Sequence, residues 1–312
     1  MARYLVTGGA GFIGSHLATA LVDRGDEVVV LDNLSTGRKE NLEHLGDRVR
    51  FVQGDLRDRA AVADAIEGVE VVFHQAALAS VPRSVAAPLD THEACVTGTL
   101  NLLDLARSVG VRRVVYAGSS SAYGDQPFQS KRETDLPRPL SPYAAAKLAG
   151  EYYLQAFTAT YGLETVTIRY FNVFGPRQDP HSEYSAVIPI FVTAILRGQQ
   201  PIIFGDGTQS RDFTYIDNVV AGNLAAASAP NVAGRVINVA CGEQFSLLQL
   251  IDSINRVLGT NVKPIFSDRR AGDIKSSLAD ISAAQQLLGY EPLVSFDEGL
   301  RRSIKYYQSL IE

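Results

Sequence analysis

Close to its start the chain runs Tyr4-Leu5-Val6-Thr7-Gly8-Gly9-Ala10-Gly11-Phe12-Ile13-Gly14-Ser15-His16. Tyr4, Leu5 and Val6 read as a buried strand, the glycines as a turn, and an amphipathic helix is expected from near Phe12. Gly9-x-Gly11-x-x-Gly14 fits the fingerprint of a dinucleotide-binding turn. In such a turn one glycine makes the tight bend, one admits the pyrophosphate, and one lets the helix close on the strand. Gly8, Gly11 and Gly14 are the glycines expected to face a cofactor. The helix N-terminus offers free N–H groups and a positive dipole end to phosphate. Val28-Val29-Val30-Leu31 is a second buried strand, and Asp32 ends it. An acid there accepts bonds from the adenosine ribose and repels a 2′-phosphate, which favours NAD over NADP.

Strand and helix patterns alternate through the first half, as in a parallel sheet covered on both faces. A third strand is expected over 50–55, with Asp55 and Leu56 at its end toward an adenine edge. A fourth covers 69–74 and runs into Gln75-Ala76-Ala77, where small residues let backbone lie against a cofactor. A helix is expected over 90–109, with an apolar stripe through Leu100, Leu103 and Leu105. A fifth strand covers 113–117, and Gly118-Ser119-Ser120-Ser121-Ala122-Tyr123-Gly124 leaves it. Sites in open α/β sheets lie beyond the carboxyl ends of the strands, where this serine run falls. After a polar loop over 125–139, Ser141 suits an N-cap and Pro142 the first helical position. A further strand covers 165–170. Later loops lengthen, and the second half reads as a smaller lobe closing over the first.

With 312 residues and a net charge of −5, the chain gives no reason to expect nucleic acid or an anionic membrane as partner. No apolar run approaches the roughly 20 residues of a membrane span. The first strand begins at once, so no signal peptide is expected. Cys95 and Cys241 have no metal-ligand spacing, so no metal is expected, and a reducing cytoplasm fits.

Tyr143 and Lys147 are one helical turn apart, on one face. Oxidising an alcohol against a nicotinamide needs a base for the hydroxyl proton. A tyrosine with a pKa of about 10 is mostly protonated at neutral pH. A nearby ammonium and a positive nicotinamide favour its phenolate. Lys147 would supply the ammonium and hold the nicotinamide ribose. A serine of the run after the fifth strand would bond the substrate oxygen and relay the proton.

Together these motifs resemble the extended short-chain dehydrogenases/reductases, specifically nucleotide-sugar 4-epimerases. The likeness covers nearly the whole chain. It rests on Gly8-Gly9-Ala10-Gly11-Phe12-Ile13-Gly14, Asp32-Asn33-Leu34, Gly54-Asp55-Leu56, His74-Gln75-Ala76-Ala77, the serine run, Tyr143-x-x-x-Lys147, Arg169-Tyr170-Phe171-Asn172, Arg211-Asp212-Phe213 and Arg270-Ala271-Gly272-Asp273. It implies an α/β, Rossmann-type doubly wound parallel sheet with a smaller, partly interleaved C-terminal substrate lobe. Residues 1–171 and about 214–242 would bind NAD, and 172–213 with 243–312 a UDP-sugar. By resemblance, Phe12, Ile13, Asp32, Asn33, Leu34, Ser35, Thr36, Gly37, Asp55, Leu56, Gln75, Ala76, Ala77, Tyr143, Lys147 and Tyr170 contact a tightly kept NAD. Ser119 matches the catalytic hydroxyl, with Ser120 and Ser121 keeping that choice open. The family usually has asparagine where Cys95 stands; a thiol replaces an amide's donors and acceptor poorly. A small packed residue is the favoured reading of Cys95. Homodimerisation through helices around Asn101 and Leu148 is a family expectation.

Arg211 and Arg270 are expected on the diphosphate, since guanidinium forks match phosphate oxygens. Asn172 matches a substrate-binding amide and Asp273 a carboxylate near the uridine ribose. Sibling dehydratases and decarboxylases carry an acid directly after the catalytic hydroxyl, where this chain has Ser120 and Ser121. C4 epimerisation through a 4-keto sugar is therefore the expected reaction. Ser277 matches a place where a bulky tyrosine excludes N-acetylated sugars, and Ala79, Ser80, Ser121, Ala186 and Val187 would complete the sugar site. UDP-glucose/UDP-galactose and UDP-GlcNAc/UDP-GalNAc both stay open, as do uronic acid forms. A dehydratase or a reductase is the enzymatic alternative, the latter marked by stoichiometric NADH consumption. A non-enzymatic NAD sensor would commonly lack Tyr-x-x-x-Lys or the sugar-lobe arginines.

Overall fold

The computed structural model describes residues 2–126, 130–180, 186–269 and 274–311. The chain opens with β1 (Arg3–Thr7), α1 (Phe12–Asp23), β2 (Glu27–Asp32), β3 (Val49–Gln53), α2 (Arg59–Ile66) and β4 (Val71–His74). Then come α3 (Val81–Ala86), α4 (Pro88–His92), α5 (Gly98–Ser108), β5 (Arg113–Ser119), α6 (Pro142–Tyr161) and β6 (Glu164–Tyr170). The second half holds β7 (Val173–Phe174), α7 (Val187–Leu196), β8 (Ile202–Phe204), β9 (Ser210–Arg211), β10 (Thr214–Tyr215), α8 (Ile216–Ser228) and β11 (Arg235–Val239). It ends with β12 (Phe245–Ser246), α9 (Leu247–Leu258), β13 (Ile265–Ser267), β14 (Ser276–Ser277), α10 (Ser282–Leu288) and α11 (Phe296–Gln308).

The main sheet has seven parallel strands in the order β11-β6-β5-β4-β1-β2-β3. Its strands are near-continuous apolar runs because both faces are covered. Alternate residues feed two cores. Val6, Val30, Phe73 and Val115 pack with Leu17 and Leu21 of α1 and Val219 of α8. Leu5, Leu31, Val72 and Val114 pack with Val62 of α2, Leu102 and Leu103 of α5, and Leu154 of α6. The strand order reverses between β1 and β4, whose ends pair Thr7 with His74. A crevice opens at such a reversal, beyond the carboxyl ends of the strands.

The smaller sheets β12-β9-β14, β8-β13 and β7-β10 belong to the second half. Their helices have no separate core. Phe174, Phe213 and Phe296 join the first cluster, with ring centroids 6.4 Å apart for Phe174–Phe213 and 5.7 Å for Phe213–Phe296. Aromatic packing therefore fixes this lobe against the sheet.

Several expected boundaries change; the fourth strand begins at Val71 rather than at 69. The third strand stops at Gln53, two residues early, and Gly54 donates to the Asp32 carbonyl (3.1 Å). The fifth strand continues to Ser119, which pairs with Tyr170, so this serine sits on the sheet rather than in the loop. The helix expected over 90–109 begins at Pro88 and contains a π turn, Glu93–Thr97. The wider turn rotates the helix beyond it, so Thr99, Leu102, Leu103 and Ala106 are buried while Leu100 and Leu105 are only partly so. Among the described residues no helix is long and apolar enough to cross a membrane.

Candidate active site

The turn after β1 is built around missing side chains. Gly8 has φ +66°, and a Cβ there would lie 2.7 Å from the backbone N and Cα of Ala76. At Gly14 a Cβ would stand 2.2 Å from the Gly8 carbonyl oxygen. Only glycine lets α1 close on the turn while the turn touches the segment leaving β4. Gly11 is the N-cap of α1 and has no side chain to cap the first N–H groups. Asp32 is buried at the tip of β2, accepting from the N–H of Ala10 (2.9 Å) and of Leu34 (2.8 Å). Burial raises its pKa above the ordinary aspartate value, and these N–H groups work against that. Leu34 has φ +59°, which turns the loop back, and leaves Asn33, Ser35 and Thr36 exposed ahead of Gly37. Asn33 donates to Asp55 (2.7 Å). Hydrogen bonds from Arg57 lead in holding the Asp55 carboxyl well below its usual range. Leu56 is buried beside it.

On the far side of the reversal, Gln75 and Tyr170 meet. The Tyr170 hydroxyl lies 3.1 Å from Gln75 Oε1 and 2.9 Å from Asn223 Oδ1. Asn223 was not among the expected residues; it is a polar side chain buried within α8.

Ser141 caps α6, its Oγ accepting from the Ala144 N–H (3.2 Å), and Pro142 begins the helix. This cap fixes where the next two turns point, placing Tyr143 opposite the end of β5. The Ser119 hydroxyl faces Tyr143. Ser119 Oγ also lies 2.8 Å from Ser121 Oγ and accepts from the Ser121 N–H (3.2 Å). Burial pushes the Tyr143 phenol up to about 12, and Ser119 pulls the other way. Burial lowers Lys147 to about 8, opposed by Cys95 and Glu151. The Lys147 ammonium stands 4.2 Å from the Tyr116 ring centroid, a cation–π contact. Lysine was expected to lower the Tyr143 pKa; instead burial of the phenol raises it, and the group that opposes the rise is Ser119. Cys95 is buried in the π turn against Val96 and Ala146, with Ala77 and Leu78 alongside. It is the small packed residue expected.

Three of the residues expected on the sugar side, Asn172, Arg211 and Ser277, meet at Asp212, between β9 and β10. The Asn172 amide donates to the Asp212 carbonyl (3.2 Å), and the Asp212 N–H donates to the Ser277 carbonyl (2.7 Å). Arg211 pairs in register with Ser277, and its Nη1 donates to the Ser210 carbonyl (2.9 Å). The Asp212 carboxylate accepts from the N–H groups of Cys241 (3.0 Å), Gly242 (3.0 Å) and Ala279 (3.3 Å). Burial lifts Asp212 to about 7 despite these donors. Asn172 itself has φ +33°. Ala79 and Ser80 lie elsewhere, at the entry to α3, where Ser80 Oγ caps the Arg83 N–H (3.1 Å). Ala186 and Val187 begin α7. Arg270 and Asp273 lie outside the described residues.

A family model for the NAD dependent epimerase/dehydratase family matches residues 4–240. The chain belongs to this family. A UDP-glucose 4-epimerase of Mycolicibacterium smegmatis is 41% identical over 312 residues, covering 98% of this chain and 99% of the relative. A UDP-N-acetylglucosamine 4-epimerase from Methanobrevibacter ruminantium, solved with UDP-N-acetylmuramic acid, superposes with TM-score 0.95 at 41% identity over 99% of each chain. A UDP-glucuronic acid 4-epimerase from Bacillus cereus, solved with UDP-glucuronic acid and NAD, gives 0.92 at 33% over 99% of each.

NAD is the cofactor of this epimerase/dehydratase family member. Its residues fit the group. A side chain at Gly8 or Gly14 would fill the turn, the α1 N-terminus has no side-chain cap at Gly11, and Asp32 at the tip of β2 is the carboxylate that would meet the ribose. Asp212 stands inside the Arg211-Asp212-Phe213 motif but had no role assigned to it, because its partners lie far away in sequence.

Proposed function

We propose that this chain interconverts the C4 epimers of a UDP-sugar. The observation that carries the reading is the meeting of Ser119, at the end of β5, with Tyr143 on α6, one turn before Lys147. Tyr143 would take the proton of the 4-hydroxyl. Ser119 would bridge that oxygen to the phenol, with Ser121 holding the Ser119 hydroxyl in place. Lys147 would favour the phenolate against the burial that opposes it. When bound, NAD would supply the hydride-accepting and hydride-donating chemistry that C4 inversion requires. Positions 120 and 121 carry hydroxyls, so the acid that elimination needs is absent there. Asn172 and Arg211, with Arg270 and Asp273, would hold the nucleoside diphosphate.

For the sugar, we infer that both UDP-glucose and UDP-N-acetylglucosamine are used. The Ser277 carbonyl is held by the Asp212 N–H (2.7 Å), and so small a side chain there would leave room for a 2-acetamido group. The 41% identity to a UDP-N-acetylglucosamine 4-epimerase supports the same reading. The test is incubation with UDP-glucose, UDP-GlcNAc and UDP-glucuronate separately, following the anomeric protons by NMR. C4 epimers of the first two are expected, and Tyr143→Phe should abolish them. Turnover by Tyr143→Phe at the wild-type rate would overturn the assignment.

A further inference from the structure

We propose that His74, acting through Thr99, is a positioning residue for this reaction, holding the π turn of residues 93–97 against the catalytic helix α6. The inference rests on the assignment of Tyr143 and Lys147 above.

His74 is fully buried, with both ring nitrogens engaged. Nδ1 lies 2.8 Å from Thr7 Oγ1, and Nε2 lies 2.8 Å from Thr99 Oγ1. The proton positions follow by elimination. Thr99 Oγ1 lies 2.6 Å from the Cys95 carbonyl, which has no proton to give, so the Thr99 hydroxyl donates there. His74 Nε2 must then carry hydrogen and donate to Thr99. Nδ1 is bare and accepts from the Thr7 hydroxyl, whose oxygen receives the Ala76 N–H (3.3 Å). One directional chain therefore joins Ala76, in the cofactor segment, to the Cys95 carbonyl inside the π turn.

Both ends of this chain border the reacting groups. Cys95 packs on Ala146, the neighbour of Lys147, and on Ala77. The His74 ring also lies 5.3 Å from that of Tyr116, whose face carries the Lys147 ammonium. The Tyr116 hydroxyl faces Thr99 and donates to the Lys147 carbonyl (3.3 Å). A Cβ at Gly150 would lie 2.4 Å from that hydroxyl, so glycine is what lets α6 settle on it. A π turn in a helix needs a reason to persist, because the α form is the better hydrogen-bonded alternative. The Thr99 hydroxyl on the Cys95 carbonyl supplies one. Burial, and then the charge of Lys147, hold the imidazole neutral, which the single-tautomer chain requires.

Thr99→Val keeps the shape and removes the hydroxyl, leaving His74 Nε2–H and the Cys95 carbonyl without their partner. Its kcat for C4 epimerisation should fall about tenfold with KM changed less than about twofold, and Thr99→Ser should restore it. The imidazole ¹⁵N spectrum of the wild-type holoenzyme should show His74 as the Nε2–H tautomer throughout the range in which free histidine titrates. Wild-type kcat in Thr99→Val, with Tyr143→Phe inactive, overturns this inference and leaves the epimerase reading intact. Activity in Tyr143→Phe overturns that reading instead. Equal loss in kcat, KM and melting temperature without rescue by serine makes Thr99 merely structural and also overturns the inference. Should Thr99→Val not fold, an Nδ1–H or titrating His74 in the wild-type spectrum overturns it alone.

Discussion

Glu151 on α6 and Arg169 on β6 lie 2.8 Å apart with side chains only 1% and 3% exposed. The Arg169 Nε adds contacts of 3.1 and 3.3 Å to the two carboxylate oxygens. Glu151 stands one turn beyond Lys147, and its charge raises the lysine pKa against burial. Removing one partner of such a pair strands the other charge, at a cost of about 3–5 kcal/mol. Glu151→Gln should therefore lose about that much stability in urea unfolding, whereas Glu151→Met with Arg169→Met should recover most of it. The single variant should also shift the alkaline limb of kcat to lower pH. An unmoved limb would show that Glu151 does not act on Lys147.

Lys147 gives a pH dependence with two opposite readouts. Its pKa in the fold, about 8, lies below the ordinary lysine value. The ammonium proposed to assist Tyr143 is present below that pH and lost above it, so kcat should fall as pH rises through about 8. Stability runs the other way. Between the folded and unfolded pKa values the unfolded chain binds more protons, so the fold gains stability as pH climbs above about 8. Lys147→Met should lose kcat by about 10²–10⁴-fold and flatten that rise in melting temperature.

Asp212 ties three segments that carry or flank the sugar-side residues, so its loss should appear in KM. Asp212→Asn puts an NH₂ among donors that need acceptors. A rise in KM of about tenfold or more is expected, with kcat nearly unchanged. In the wild type the carboxyl takes up a proton as pH falls through about 7, so KM should rise on acidification. Because this folded pKa is raised, the stability the group contributes is full below the unfolded aspartate value and lost as pH rises through about 7. Binding and stability should thus show opposite acid trends, and Asp212→Asn should remove both.

What could be read from the chain is what neighbouring residues dictate. The glycine turn, Asp32 at a strand end, the Ser141-Pro142 cap and the one-turn spacing of Tyr143 and Lys147 are all local. Each depends on backbone geometry that a few residues impose. The π turn left no such mark, since Glu93–Thr97 has the composition of ordinary helix and the rotation shows only in which side chains beyond it are buried. Asp212 was hidden because its partners come from residues 172, 241, 242, 277 and 279, joined only by the fold. Asn223 was hidden likewise, as one of two buried asparagines in α8 whose role becomes visible only opposite Tyr170 and Gln75.

Ser277 offers the sharpest test of sugar choice. It pairs with Arg211 across β9 and β14, and its carbonyl is held by the Asp212 N–H at 2.7 Å, so its Cα cannot drift. A large side chain there has to enter the space beside the strand rather than move the strand. Ser277→Tyr should therefore cut kcat/KM for UDP-GlcNAc by about 10–200-fold, the range one steric mismatch gives in a pocket. Activity on UDP-glucose, which lacks the acetamido group, should change far less. Competition between the two substrates in one tube, read from their anomeric protons, measures the ratio directly. An equal loss on both sugars would mean that Ser277 borders the nucleotide or the lobe packing instead of the C2 substituent.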